Sequence, residues 1–419
     1  MCNKEEILKN VKIIYNKTEK FNTTRIAFNF ILPLNEKEIA ANALVPYLLT
    51  SCGKNYPDFQ KLNLKLLDLY NADIGAVCDF NGDNQLLKIY CSFLNDEVTE
   101  EKNEEKAVNL LLDLIFNPRV ENGAFLKEDV EREKHLTAEK IKALFNEKRK
   151  YALAVTVKDM FKNEPYGNFV SGNLEDVLAL TGETLYNAYI NILKKSTILI
   201  NVIGSKEPAG IKEKVLERLS KIDRDPAELN ETKTENGGKV NEITEYAEIA
   251  QAKMVLGFKG EKPYNILESA ALSLFTDILG GGPYSKLFTV VREKMSLCYY
   301  CAARSKRSKG YFTIDCGVDV ANIEKAKAEI LNQLELIKKG EISLDEILSS
   351  KTALKESLYS LNDSQSAIEN WITVNENYKH IPTNQDVMAR IDKVNINDIV
   401  NIAKTFKLST VYLLLPKQK

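Results

Sequence analysis

The sequence predicts an α+β protein made of one unit repeated. Three observations support this. Strand-like and helix-like segments alternate, then recur in the same order half a chain length later. A polar stretch without apolar periodicity separates the two runs. At 419 residues the chain also exceeds what one ordinary core organises. The expected division is an N-terminal domain over 1–222, a linker over 223–245 and a C-terminal domain over 246–419.

In the first half, residues 25–32 carry Ile26, Phe28, Phe30 and Ile31 and read as a strand. Helical segments follow over 39–49 and 59–69. Asn71-Ala72-Asp73 turns the chain into a strand over 74–80, and Asn81-Gly82-Asp83-Asn84 is a hairpin turn into a strand over 86–93. Over 104–116, Ala107, Leu110, Leu111 and Leu114 share one helical face, which stops before Pro118. A helix around Leu185 and a strand over 198–204 complete the half. The second half repeats the order: a strand over 252–258, a helix over 266–279 ending in glycines, and a second helix over 285–294. A strand over 297–303, a basic turn and a strand over 311–318 follow, and then an amphipathic helix over 323–338. Ser343 and Glu346 have capping-box spacing and start a further helix, with Leu354, Leu358 and Leu361 as its core stripe.

A hydrophobic content of 44% with 28% charged residues describes a globular chain rather than a disordered one. The net charge of −2 gives no basic footprint for nucleic acid. The first residues, Met1 to Glu6, hold two acids and no apolar run, and no stretch has membrane-spanning length. Seven scattered cysteines fit reduced thiols. The expected location is therefore cytoplasmic, with no membrane and no nucleic acid among the partners.

The most informative segment is Gly280-Gly281-Gly282-Pro283-Tyr284-Ser285-Lys286, which runs on through Arg292 to Tyr299. Three glycines leave a loop without side chains, which another backbone can approach closely. Arg292 offers a fork of donors and Tyr299 a hydroxyl. The segment closely resembles the C-terminal-half motif of the M16 family (insulinase, pitrilysin and mitochondrial processing peptidase). Pro165-Tyr166-Gly167 with Gly172 and Asn173-Leu174-Glu175 is a weaker match in the first half. The resemblance implies two homologous LuxS/MPP-like αβ domains arranged as a clamshell. It also implies that Arg292, Tyr299 and the loop of Gly280, Gly281 and Gly282 grip an extended peptide.

Active members of that family carry His-x-x-Glu-His on the helix after the first strand, two histidines binding zinc and the glutamate acting on its water. The matching helix here reads Leu44-Val45-Pro46-Tyr47-Leu48, with Leu44 and Leu48 at the ligand positions and Tyr47 at that of the base. Leucine has no lone pair to give a metal. The chain has two histidines, His135 and His380, with no second histidine near either. Glu139 matches the family's downstream ligand and stands as a remnant, or simply as part of a solvated helix face. No metal and no catalytic residue is therefore expected in this chain.

Three other features read as structural. Cys298-Tyr299-Tyr300-Cys301 has C-x-x-C spacing, but the four residues read as strand, where positions three apart point to opposite faces. No second C-x-x-C accompanies them, so neither redox nor metal chemistry is expected. Glycines after a helix are also ordinary C-caps. Arg304, Lys306, Arg307 and Lys309 read as a solvated hairpin tip.

The resemblance implies a non-catalytic, peptide-binding subunit. It would orient an extended peptide for a separate zinc-bearing M16 subunit, as in the small bacterial two-chain members, and the cofactor would be zinc in that partner. A purely structural M16-like core subunit is the alternative. An active peptidase with an unrecognised site is disfavoured by the leucines.

Overall fold

A computed structural model describes residues 2–100, 102–232, 239–261, 265–376 and 380–417. Thr234 and Asn236-Gly237-Gly238, part of the expected linker, lie outside the described residues. The chain forms two compact units, each discontinuous in sequence. Unit 1 comprises Met1–Lys142, Asn168–Glu231 and Asn362–Ile381, and unit 2 comprises Ala143–Gly167, Thr232–Leu361 and Pro382–Lys419. Against the expected continuous halves, each unit takes one helical segment from the other half of the sequence.

The strands of unit 1 are β1 (Cys2–Leu8), β2 (Val11–Lys17), β3 (Thr23–Pro33), β4 (Asp73–Asn81), β5 (Asn84–Leu94), the short pair β6 (Val120–Glu121) and β7 (Ala124–Phe125), and β8 (Thr197–Gly204). Six of them form one sheet in the order β1-β2-β8-β3-β5-β4. Gly82, at φ 59°, sits where the two-residue turn from β4 to β5 needs a positive φ. Every residue of β8 is buried, and Ile198, Leu199, Ile200, Val202 and Ile203 make it the nearly continuous apolar strand that a sheet centre requires. The core gathers Phe28 and Phe30 of β3, Leu110, Leu111 and Leu114 of the helix Asn103–Phe116, and Leu185 and Ile192 of the helix Gly182–Lys195.

Unit 2 has β9 (Asn241–Ala247), β10 (Ala252–Lys259), β11 (Cys298–Lys306), β12 (Tyr311–Val318) and β13 (Lys407–Pro416), in the order β11-β12-β10-β13-β9. The path β2-β8-β3-β5-β4 of unit 1 matches β9-β13-β10-β12-β11 of unit 2. The sense agrees at every pairing, parallel in the first and antiparallel in the rest. The duplication read from the sequence is thus a repeat of topology. The unit 2 core stacks Phe258 on Phe312 with ring centroids 4.4 Å apart, and Phe275 and Phe406 close around them.

The exchanged helices are equivalent too. Lys148–Met160 lies on β10 and β13 within unit 2, and Gln365–Val374 lies on β8 and β3 within unit 1. The latter brings Glu369, fully buried, between Arg25 of β3 at 3.3 Å and Lys88 of β5 at 2.6 Å. The former pairs Arg149 with Asp315 of β12.

Two sequence expectations need correction here. Lys309 is not part of a solvated tip: it is fully buried, its ammonium 2.6 Å from Glu164 and beside the rings of Phe161 and Tyr166. Arg304 is exposed, and Lys306 and Arg307 are half-buried. The expected Leu354, Leu358 and Leu361 stripe is only partly core, since Leu358 is buried and the other two are half-buried. The Ser343–Glu346 capping box forms as read and opens the helix Leu344–Ser360. Among the described residues, no helix is long and apolar enough to cross a membrane.

Candidate functional site

The helix Ile39–Ser51 carries the positions where the family's zinc motif would stand. Leu44 and Leu48 are buried in the unit 1 core. Burial, with Cys78 adding to it, pushes the Tyr47 phenol up to about 12, so it offers no base near neutrality. Lys140 lies 4.8 Å above the Tyr47 ring, so the helix Lys127–Leu144 does face this position. Glu139, one residue earlier, is exposed and paired with Lys142 at 3.1 Å. His135 is exposed on the same helix.

The glycine segment closes the helix Ile266–Gly280. Gly281 is the C-cap at φ −84°, in the right-handed region, so the glycines are not there to supply a left-handed cap. Their smallness serves packing. A Cβ on Gly280 would lie 2.5 Å from the backbone nitrogen of Ala303 in β11, and one on Gly281 would lie 2.1 Å from Oδ1 of Asp277. Tyr284 donates to the other Asp277 oxygen at 2.7 Å.

The segment Leu287–Lys294 is helical as expected, but it is a π-helix, a form concentrated at functional sites. Its widened turns are visible in Met295 N–H donating to Val290 and Leu297 N–H donating to Val291. Arg292 is exposed on it. Its guanidinium lies 4.5 Å over the Phe288 ring and 3.5 Å from Glu293. The chain then enters β11, an edge strand of its sheet. Tyr299 is 62% exposed there, its hydroxyl donating weakly to Asp319 at 3.4 Å.

Tyr299 is also the extra residue of a β-bulge. Cys298 pairs with Val318 and Tyr300 with Gly317, so Tyr299 has no partner in the register. This overturns the expectation that Cys298 and Cys301 point to opposite faces. The bulge absorbs one residue, so Cys298 and Cys301 share a face instead of opposing each other. Cys301 pairs directly with Cys316 of β12, and the three sulfurs lie within 4.8 Å of one another. All three side chains are buried. The Cys298 thiol is pulled well below its usual range by hydrogen bonds from Cys301 and Cys316, with Arg292 helping against the cost of burial. Cys301 and Cys316 are pushed up, chiefly by their contact with Cys298. The parity rule concealed this cluster, and only the bulge reveals it.

A cavity of about 730 Å³ in unit 1 is lined by Phe116, Arg119, Tyr186, Tyr189 and Lys221, among other residues. None of the candidate site residues lines it.

Residues 179–354 match the peptidase M16 inactive domain. The Bacillus subtilis protein YmfF, described as a probable inactive metalloprotease, is 27% identical over 95% of this chain and 94% of its own. The crystal structure of a conserved protein from Enterococcus faecalis V583 superposes with a TM-score of 0.91 at 26% identity, covering 100% of this chain and 99% of that one. A peptidase M16 inactive domain from Pseudomonas fluorescens shares the fold, with a TM-score of 0.81 at 15% identity over 100% and 98% of the two chains. The chain is thus similar to M16 proteins along nearly its whole length, and its sequence does not carry the His-x-x-Glu-His motif.

Proposed function

We propose that this chain is the non-catalytic, peptide-binding subunit of a two-chain M16 metallopeptidase, orienting an extended peptide for a separate zinc-bearing subunit. The observation that carries the reading is the edge strand β11, which presents Tyr299 on a bulge directly after the π-helix that bears Arg292. An unpaired strand edge offers a row of backbone donors and acceptors, and an extended peptide can add to it as a further strand. Arg292 would then bond a peptide carbonyl, and its present pairing with Glu293 is an exposed one that is easily given up. Tyr299 would help hold the carbonyl under attack at the partner's zinc. The zinc belongs to the partner, because Leu44, Tyr47 and Leu48 leave this chain no ligand set at the family position.

The glycines argue less for this role than their sequence implies, since close packing against Ala303 and Asp277 already explains two of them. That observation favours a second reading, in which the chain is a structural subunit with an idle peptide grip.

The test is peptide hydrolysis by this chain mixed with a zinc-bearing M16 partner, with wild type compared to Arg292→Ala. A loss of one bonded carbonyl predicts a fall in kcat/KM of about tenfold, equivalent to ~1.4 kcal/mol. Unchanged turnover, together with no peptide binding by the purified pair, would select the structural reading.

A further inference from the structure

We infer that Cys298, Cys301 and Cys316 form a three-thiolate site for a thiophilic divalent cation of the zinc class, beneath the bulge that presents Tyr299. No catalytic role attaches to this ion, and the site is separate from the apolar helix where the family's zinc would stand.

The geometry comes first. A zinc ion sits at about 2.3 Å from each thiolate sulfur, which places the sulfurs of a tetrahedral site roughly 3.8 Å apart. Sulfurs already within 4.8 Å need only a small inward movement. Two strands supply them, and the register fixes them: Cys301 and Cys316 are direct cross-strand partners, and the bulge holds Cys298 on their face. Met254 of β10 is the next residue across, paired with Cys316, so the neighbouring strand adds a soft side chain rather than a competing hard ligand.

Charge selects the ion. Three bound thiolates carry three negative charges in a buried place, and a divalent ion leaves one uncompensated. A monovalent ion would leave two negative charges, which burial penalises more heavily. Oxygen-seeking cations are excluded by the all-sulfur donor set. On binding, the thiol protons leave to solvent, so affinity rises with pH. Three sulfurs leave the fourth position of a tetrahedral ion to water.

The experiment titrates the full-length chain, reduced and metal-free, with Co(II) under anaerobic conditions, followed by Zn(II). The expected result is one equivalent of cobalt with thiolate-to-metal absorption, displaced by zinc. Loss of an outer-shell partner alone weakens metal sites about 10–100-fold, so Cys298→Ser and Cys316→Ser should each weaken binding at least that much. Absence of the thiolate band in the wild type would overturn the site. An undiminished band in Cys316→Ser would also overturn it, by placing the metal elsewhere. So would protein purified without reductant that carries a disulfide between two of the three cysteines and takes up no metal after reduction.

Discussion

At the scale of residues, two arginines illustrate how burial divides structure from function. Arg25 is buried, stacked 3.8 Å over the Tyr90 ring and bonded with Lys88 to the single carboxylate of Glu369. Removing that carboxylate leaves two cations in the core with no counter-charge, a change that costs about 3–5 kcal/mol. Glu369→Ala should therefore lower the urea midpoint of the whole protein strongly. A midpoint within error of wild type would show that the triad adds nothing beyond its packing. Arg292 is the opposite case. Its exposed pair with Glu293 is worth about 0–1 kcal/mol, so Arg292→Ala should leave the melting behaviour nearly unchanged. That neutrality is what allows a loss of turnover in the variant to be assigned to the peptide rather than to the fold.

At the scale of elements, the bulge in β11 ties three separate features together: an exposed tyrosine, a shared cysteine face and an edge strand. Deleting Tyr299 would restore the regular ladder, with Cys298 still opposite Val318 and Cys301 opposite Cys316. The deletion should keep one equivalent of bound cobalt while peptide turnover with the partner falls. If cobalt binding disappears, the bulge backbone itself shapes the thiol site, and parity is not the reason the cysteines meet. This is also where the sequence was hardest to read. The β3, β4, β5, β10 and β12 segments and the helix Ile323–Lys338 were legible because their apolar periodicity spans the whole element. A bulge has no such signature, since one unpaired residue changes no composition and no period. The π-helix was missed for a similar reason, its Leu287 and Val291 being spaced as an α-helix also requires. The burial of Lys309 depends on Glu164, far away in sequence, and no local pattern announces such a partner.

At the scale of the molecule, the two units share one strand order, yet neither is encoded by one half of the chain. The sequence made the repeat legible because matching elements recur in order. It did not make the exchange legible, because a helix's apolar face does not say which sheet it will cover. The consequence is specific. A fragment of residues 1–232 would lack the helix Gln365–Val374, leaving Arg25 and Lys88 without Glu369, and Asn201 without the Thr373 hydroxyl at 2.8 Å. A fragment of residues 239–419 would lack the helix Lys148–Met160, stripping Asp315 of Arg149 and Tyr412 of the neighbouring Tyr151, both of which bond Glu245. Each fragment then leaves uncovered a sheet face that the intact chain buries, and the apolar residues of that face lose their burial. Neither fragment alone should give a cooperative thermal transition, whereas the two co-expressed should associate and melt as the intact chain does. A sharp transition from residues 1–232 alone would mean that the helix Gln365–Val374 is dispensable, and that the repeated sheet with its own helices is sufficient to fold.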